Sequence, residues 1–460
     1  MNSSSAQETA MKASTENRKV YSYHTFTLPF SWESPETDGS REFRRLYGEW
    51  QDRYDNDPNW HEMYSAADGE FLLSPDISCR DFYSEYMHFH PYIRETIYGC
   101  SDTGGMMFDD HAIVKCYTLR PGGKKISGTY TVKKGSASYS LDVTRIELRI
   151  YNTGIGIYSL ECENRDAGQA DPEAIRKIND LGSRITKRSY DNPLCADRLT
   201  LDIRDLGTFT EDWSDSVDPM IADGKVEAIS YISRTVTGVM GIETGDIRTG
   251  SNNNMLVMTW TGGEACIATP YGEIPLTGAG SEESAVFRAV CSRTAVLCIA
   301  QRASLMNFSR RAELVSRRIV AHGNNMSVSD RERMINLHER YVAFLTQMDA
   351  SEISSLQEIS EVYEKLRDLL KISREKECVR EKMDGLSALA TAEQDFDFNT
   401  WAAAVAVAAL LMTAGGLICD SFANKISPWI TGGAVVLPAL TAFLSIGLGL
   451  IIGLMLKRRG

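Results

Sequence analysis

The chain has 460 residues, a formal net charge of −13, 43% hydrophobic residues and 24% charged ones. That length suits two or three domains of ordinary globular composition. The slightly negative mean hydropathy is lower than a polytopic transporter would show, so any membrane part is a small fraction of the chain, and the acidic balance argues against a nucleic-acid backbone as the main partner.

Residues 1–18 are polar, rich in Ser and Thr, and without an apolar run, so they predict a disordered tail and no signal peptide. Residues 19–301 predict a cytosolic α/β or α+β body with a mixed sheet. Val20 to Trp32 has the aromatic and β-branched content of a strand. His88 and His90 form an HxH, with Cys79 and His111 elsewhere. Regular ligand spacing is lacking, and the neighbours Phe82, Tyr83, Tyr86, Phe89 and Tyr92 favour a packed aromatic patch over a metal site, whose identity stays unknown.

Ile113 to Asn164 is the clearest β region. Ile146, Leu148 and Ile150 alternate with Glu147, Arg149 and Tyr151, the pattern of a half-buried strand. Asn152-Thr153-Gly154 signals a turn, and Ile155 to Cys162 is the returning strand. Gly122-Gly123-Lys124 lacks the frame of a phosphate-binding loop. Asp171-Pro172-Glu173 opens a helix carrying Ile175, Ile178 and Leu181, with Asp as cap and Pro in the first turn. Further strands are expected at Ala228 to Thr237, Met255 to Trp260 and Ala265 to Thr269.

Arg176, Lys177, Arg184, Lys187 and Arg188 concentrate positive charge on and after the helix that starts near residue 171. A phosphate-bearing ligand is one reading, because guanidinium and ammonium groups donate charge-assisted hydrogen bonds. A solvated, ion-paired face is the other. No GxSxG, HExxH or paired Cys–His signature appears, so no catalytic residue is assigned and the chain is not expected to be an enzyme. Ten cysteines are scattered without a CxxC pair, as expected of reduced cytosolic thiols.

Residues 302–397 predict a helical stalk. Ser329 caps a helix to Met348 in this reading, with Glu332 three residues on and an apolar stripe of Met334, Leu337, Tyr341, Leu345 and Met348. Leu356, Ile359, Tyr363, Leu366 and Leu370 begin a second stripe, continued with a shift of register by Ile372, Val379, Met383 and Leu386. As one helix, Ser354 to Ala392 would reach ~58 Å.

Residues 398–460 predict a membrane hairpin, with helices over 401–419 and about 435–456. Trp401 to Cys419 and Ile430 to Leu456 contain no charged residue. A buried helical hairpin is the weaker alternative. Lys457, Arg458 and Arg459 outweigh the single Lys425 between the runs, which places both termini in the cytoplasm of a cell bounded by that membrane. Ser445, Gly449 and Gly453 have the small-xxx-small spacing of packed membrane helices. Asp395, Asp397 and Asn399 before the first run, and Met412, Thr413, Gly416 and Asp420 at its far end, are candidate pore residues; a solvated acidic linker is the alternative for the first group.

This order of parts, with Leu386-Ser-Ala-Leu-Ala-Thr391 entering the first apolar run, resembles the CorA family of pentameric cation channels. The family's Gly-Met-Asn signature is absent, and Met412 to Asp420 stands in its place. Tyr23-His-Thr-Phe26, Ile150 to Ile157 and Ile178 to Ile185 resemble the CorA-like membrane effectors associated with type III CRISPR systems. The resemblance implies a homo-oligomer, a pentamer in the inner membrane, with Mg2+ or another divalent cation as permeant ion. It also implies gating by an adenine nucleotide second messenger such as adenylylated S-adenosylmethionine, in antiviral defence. Arg184 becomes a contact candidate beside Arg176, Lys177, Asn179, Asp180, Lys187 and Arg188, with Asn252, Asn253 and Asn254 as a second group. A housekeeping magnesium-type transporter and a non-conducting membrane-tethered scaffold are the alternatives.

Overall fold

The computed structural model describes residues 19–33, 39–67, 70–73, 86–99, 113–134, 136–179, 198–212, 256–269, 271–276, 286–321 and 327–388. The chain divides into two compact units, Met1–Leu386 and Ser387–Gly460, and the described residues fall almost wholly in the first. The two apolar runs at 401–419 and 430–456 lie outside the described residues. Among the described residues no helix is long and apolar enough to cross a membrane.

An eleven-stranded sheet forms the centre, and every pairing described in it is antiparallel, where the sequence reading expects a mixed sheet. Its strands are β1 (Ser22–Ser31), β2 (Trp60–Glu62), β5 (Val114–Leu119), β6 (Gly128–Lys134), β7 (Ala137–Tyr151), β8 (Ile155–Asn164), β9 (Arg198–Ile203), β10 (Gly207–Asp212), β11 (Leu256–Trp260), β12 (Ala265–Thr269) and β13 (Gly272–Leu276). A separate hairpin pairs β3 (Tyr64–Ala67) with β4 (Glu70–Leu73). The order across the sheet is β10-β9-β6-β7-β8-β1-β11-β12-β13, and β5 joins the second half of β7 to β2.

The expected turn is where the residues put it. Gly154 has φ 87°, and a Cβ there would collide with Glu33 Oε2 and come within 2.7 Å of Asn307 Nδ2, so both backbone angle and space demand glycine. Strand β7 changes phase once. Val143 pairs with Cys162 and Arg145 with Glu161, leaving Thr144 as the extra residue of a bulge. Leu141 and Val143 before it and Ile146, Leu148 and Ile150 after it then all face the same core. The same step turns Arg145, Glu147 and Arg149 to the opposite side.

Helices cover both faces. On the first, α1 (Gly39–Asp55) and α3 (Pro172–Asn179) enclose a core with Phe26, Leu28, Phe30, Leu148, Tyr158 and Leu160. Asp171 Oδ1 accepts from Ala174 N at 2.7 Å, so the expected cap forms. On the second face lie α2 (Pro91–Tyr98), α4 (Ser292–Ala321), α5 (Val328–Gln347), α6 (Gln357–Leu369) and α7 (372–388). Residues 292–302 of α4 are buried all round its circumference, which makes it the central helix of that layer.

The helical region predicted for 302–397 is present over its described part, with three differences. First, α4 runs unbroken through position 301, where the sequence reading ended the sheet body. Leu305, Phe308, Leu337, Tyr341, Tyr363, Leu366, Val379 and Met383 share one core with the strand residues Ile157, Met258 and Ile267. The helices are thus a layer packed on the sheet. Second, the cap of α5 is Ser327, whose Oγ accepts from Asp330 N at 3.1 Å, and Ser329 lies inside the helix. Third, the single ~58 Å rod is divided at Leu370–Lys371, between α6 and α7.

Lys371 has φ 56°, a left-handed conformation that costs an L-residue about 1 kcal/mol. The corner is held on both sides. Arg302 Nη1 donates to Leu370 O at 2.6 Å and its Nη2 to Tyr271 Oη at 2.5 Å. Asp349 accepts from Arg367 of α6 and Lys376 of α7, each at 2.9 Å. Lys371→Gly is expected to stabilise the protein by about 0.5–1 kcal/mol in urea unfolding, because glycine reaches this angle without a Cβ clash. A destabilisation of that size would show that the corner is not strained.

Candidate functional site

The predicted ligand helix is α3. Its Ala174 and Ile178 face the sheet, while Arg176 and Lys177 point to solvent. Lys177 Nζ sits 2.7 Å from Glu173 one turn earlier, an exposed pair that contributes little. Asn179 turns the other way, so the three do not converge. Its Oδ1 accepts from Thr259 Oγ1 at 2.7 Å and from His24 Nδ1 at 3.1 Å. Asp180, Arg184, Lys187, Arg188, Asn252, Asn253 and Asn254 lie outside the described residues, as do Asp395, Asp397, Asn399, Met412, Thr413, Gly416 and Asp420.

His24 is wholly buried, and that burial lowers its pKa to about 4 against the opposing effect of the bond to Asn179. With Nδ1–H given to Asn179, Nε2 accepts from the Ser22 hydroxyl at 2.9 Å. Serine, imidazole and carboxamide therefore stand in the order of a nucleophile relay. Ser22 is itself 0% exposed, so no substrate reaches it. The row ties α3 to β1 and β11.

Sequence reasoning missed a buried cluster of charged residues. The alternation makes Glu147, Arg149 and Tyr151 the outer face of a half-buried strand, but α4 covers that face, to which Arg145 also belongs. Glu147 and Arg149 are each 1% exposed. Arg293 of α4 reaches Glu147 Oε2 at 2.9 Å, Arg149 Nη1 lies 2.9 Å from the same oxygen, and Arg145 Nε lies 3.2 Å from Oε1. Arg145 also pairs with Glu161 at 2.7 Å. The row continues outward through Arg288, at 3.6 Å from Glu161 and 3.8 Å from Glu163, to Arg165 at 2.6 Å from Glu163. Burial alone would raise the Glu147 carboxyl, but Arg293, Arg149 and Arg145 together hold it well below the usual carboxylate range. The same burial pushes the neighbouring Cys116 thiol up to about 11, so it is a packed, unreactive group.

A second buried carboxylate, Glu33 two residues beyond β1, receives Arg340 at 2.8 and 2.9 Å, Arg311 at 3.0 Å and Asn307 at 3.2 Å. Burial acts to raise its pKa, and Arg340 and Arg311 overcome that and lower it. Arg340 lies 3.6 Å from the centre of the Phe43 ring of α1. Glu33 thus joins β1 to α4 and α5.

What these two centres can do is mechanical. Each fastens a helix to a strand by bonds that weaken steeply with a small displacement, in a medium where charges interact strongly. Among the described residues no group of three or more His, Cys, Asp or Glu side chains could hold a metal. His88 and His90 both precede α2, where His88 O accepts from Ser354 Oγ and His90, the residue before the helix, stacks on Tyr92. Cys79 and His111 lie outside the described residues. Comparison with family models, curated proteins and solved structures found no match.

Proposed function

We propose that this chain is a homo-oligomeric, ligand-gated ion channel of the CorA-like kind, with the sheet and its helices as a cytosolic sensor. The observation that carries this reading is the pair of uncharged runs, Trp401 to Cys419 and Ile430 to Leu456, closed by Lys457-Arg458-Arg459. Runs of that length suit a ~30 Å hydrocarbon layer, and the basic tail keeps both termini cytoplasmic. The fastened helical layer supports a sensor, because a strand displaced by a ligand carries α4, α5 and α6 with it. The basic residues Arg176, Lys177, Arg184, Lys187 and Arg188, with Asn252, Asn253 and Asn254, are the proposed contacts for an adenine nucleotide second messenger, and Asn179, turned onto His24 and Thr259, is not among them. Asp395, Asp397, Asn399, Met412, Thr413, Gly416 and Asp420 are the proposed ion path.

Two measurements test it. Removal of residues 401–460 is expected to move the chain from the membrane pellet to the supernatant; a truncated chain that still pellets with lipid would overturn the hairpin. The full chain in liposomes is expected to leak ions when an adenine nucleotide is added. Flux that never exceeds that of empty vesicles would leave a tethered scaffold, and flux governed by Mg2+ depletion alone would make it a housekeeping transporter. Arg184→Ala is expected to lose the nucleotide response with assembly intact.

A further inference from the structure

Arg149 is a wholly buried cation between β7 and α4. Its Nη1 lies 2.9 Å from Glu147 Oε2, but the two are not aligned, and neither Nη1 nor Nη2 donates a hydrogen bond. Glu147 Oε2 instead accepts from Arg293 Nη1, also at 2.9 Å. Across the ladder Arg149 faces Cys116 of β5 and Ile157 of β8, both buried. Neither side chain offers an oxygen, so charged N–H donors stand in a dry place without an acceptor.

The charges around it do not balance. Glu147 is shared by Arg293, Arg149 and Arg145, and Arg145 also holds Glu161. Three guanidinium ions thus stand against two carboxylates. Glu161 cannot serve Arg149, because it lies opposite Arg145, ~13 Å back along β7, where Arg288 approaches it as well. Glu147 and Arg293 are the charged groups that act most strongly on Arg149, so the surplus positive charge falls there. Water could accept from the N–H groups but would leave that charge in place, whereas a small anion accepts and neutralises together. We propose that Nη1 and Nη2 of Arg149 seat a buried monovalent anion of the halide class between β7 and α4. A spherical ion suits a close-packed interior, where a phosphate or carboxylate ligand would have to displace Cys116 or Ile157. The ion is structural, taken up as the helix closes on the strand. It does not depend on the ion-conducting reading, and no flux measurement bears on it.

Urea unfolding of the full-length chain in nonionic detergent tests it, with bromide as the probe. Replacing ~200 mM gluconate by bromide at constant sodium is expected to raise the midpoint by about 0.5–1 M urea, the shift that millimolar binding to the folded state gives. Arg149→Met removes the seat and the surplus charge together. It is expected to fold and to lose that shift. A general salt effect moves both chains alike, so equal shifts overturn the proposal, as does a wild-type midpoint that bromide leaves unchanged. Crystals of the wild-type chain grown in bromide decide the matter without a variant. Anomalous density against Arg149 Nη1 and Nη2 is expected, and its absence there overturns the site even if Arg149→Met fails to fold.

Discussion

Glu147→Gln is expected to cost about 3–5 kcal/mol of folding stability, measured by denaturant unfolding at neutral pH. The substitution keeps the shape of the side chain and removes its charge. Arg293 and Arg149 would then be buried cations with a neutral amide between them, and Arg145 would keep only Glu161. Truncating one partner of a desolvated pair is far more damaging than deleting the pair, because the remaining charge has no water to return to. Glu147→Leu combined with Arg149→Met should therefore recover part of the loss. A cost below about 1 kcal/mol for Glu147→Gln would mean that water reaches the guanidinium groups. The pH dependence has a definite sign. The folded carboxyl titrates below its ordinary value of 4.5, so its stabilisation is complete above pH 4.5 and is lost as the pH falls below that value. Glu147→Gln should lack this acid limb.

The second large effect lies at higher pH. His24 takes a proton at 6.5 in the unfolded chain and only at about 4 in the folded one. Between those values the unfolded state binds more protons, so stability falls as the pH drops. The full difference amounts to about 3 kcal/mol, of which about 2 is lost between pH 6.5 and 5, before carboxylates with an ordinary value begin to titrate. Wild-type protein should show that slope in urea unfolding. His24→Gln should start less stable, having lost the bonds to Ser22 and Asn179, and be flat over the same interval. An equal slope in both would assign the effect to another group.

The parts of the fold that could be read from residues alone are those with local causes. The β7–β8 turn announces itself through Asn152-Thr153-Gly154, and α3 through Asp171-Pro172. The first part of α4 escaped notice because a helical stretch buried on every side has no polar face, and residues 292–302 therefore carry no 3.6-residue rhythm. The corner at Leu370–Lys371 has neither proline nor glycine to mark it, since Arg302, from far along the chain, holds it. Ser327 and Ser329 each have an acid three residues on, Asp330 and Glu332, so the pattern fits both and tertiary packing decides.

The candidate site was legible only in part, for a related reason. Alternation in β7 gives the two faces of the strand but not what lies over each, and Arg145, Glu147 and Arg149 look alike whether water or α4 covers them. Local charge density at Arg176 and Lys177 was legible; the inward turn of Asn179 was not, because it depends on His24 and Thr259.

Strand β1 is the first described strand to leave the ribosome and lies near the middle of the sheet, between β8 and β11. At about 5–20 residues per second, β11 emerges roughly 10–50 s after it. Until β8 follows, both edges of this strand, which carries Phe26, Leu28 and Phe30, are unpaired, and for the rest of that interval one edge stays open, the kind of segment that adds to other chains. Nascent chains of this protein should consequently depend on holdase chaperones until residue 260 is out, and slower translation should lower the yield rather than raise it.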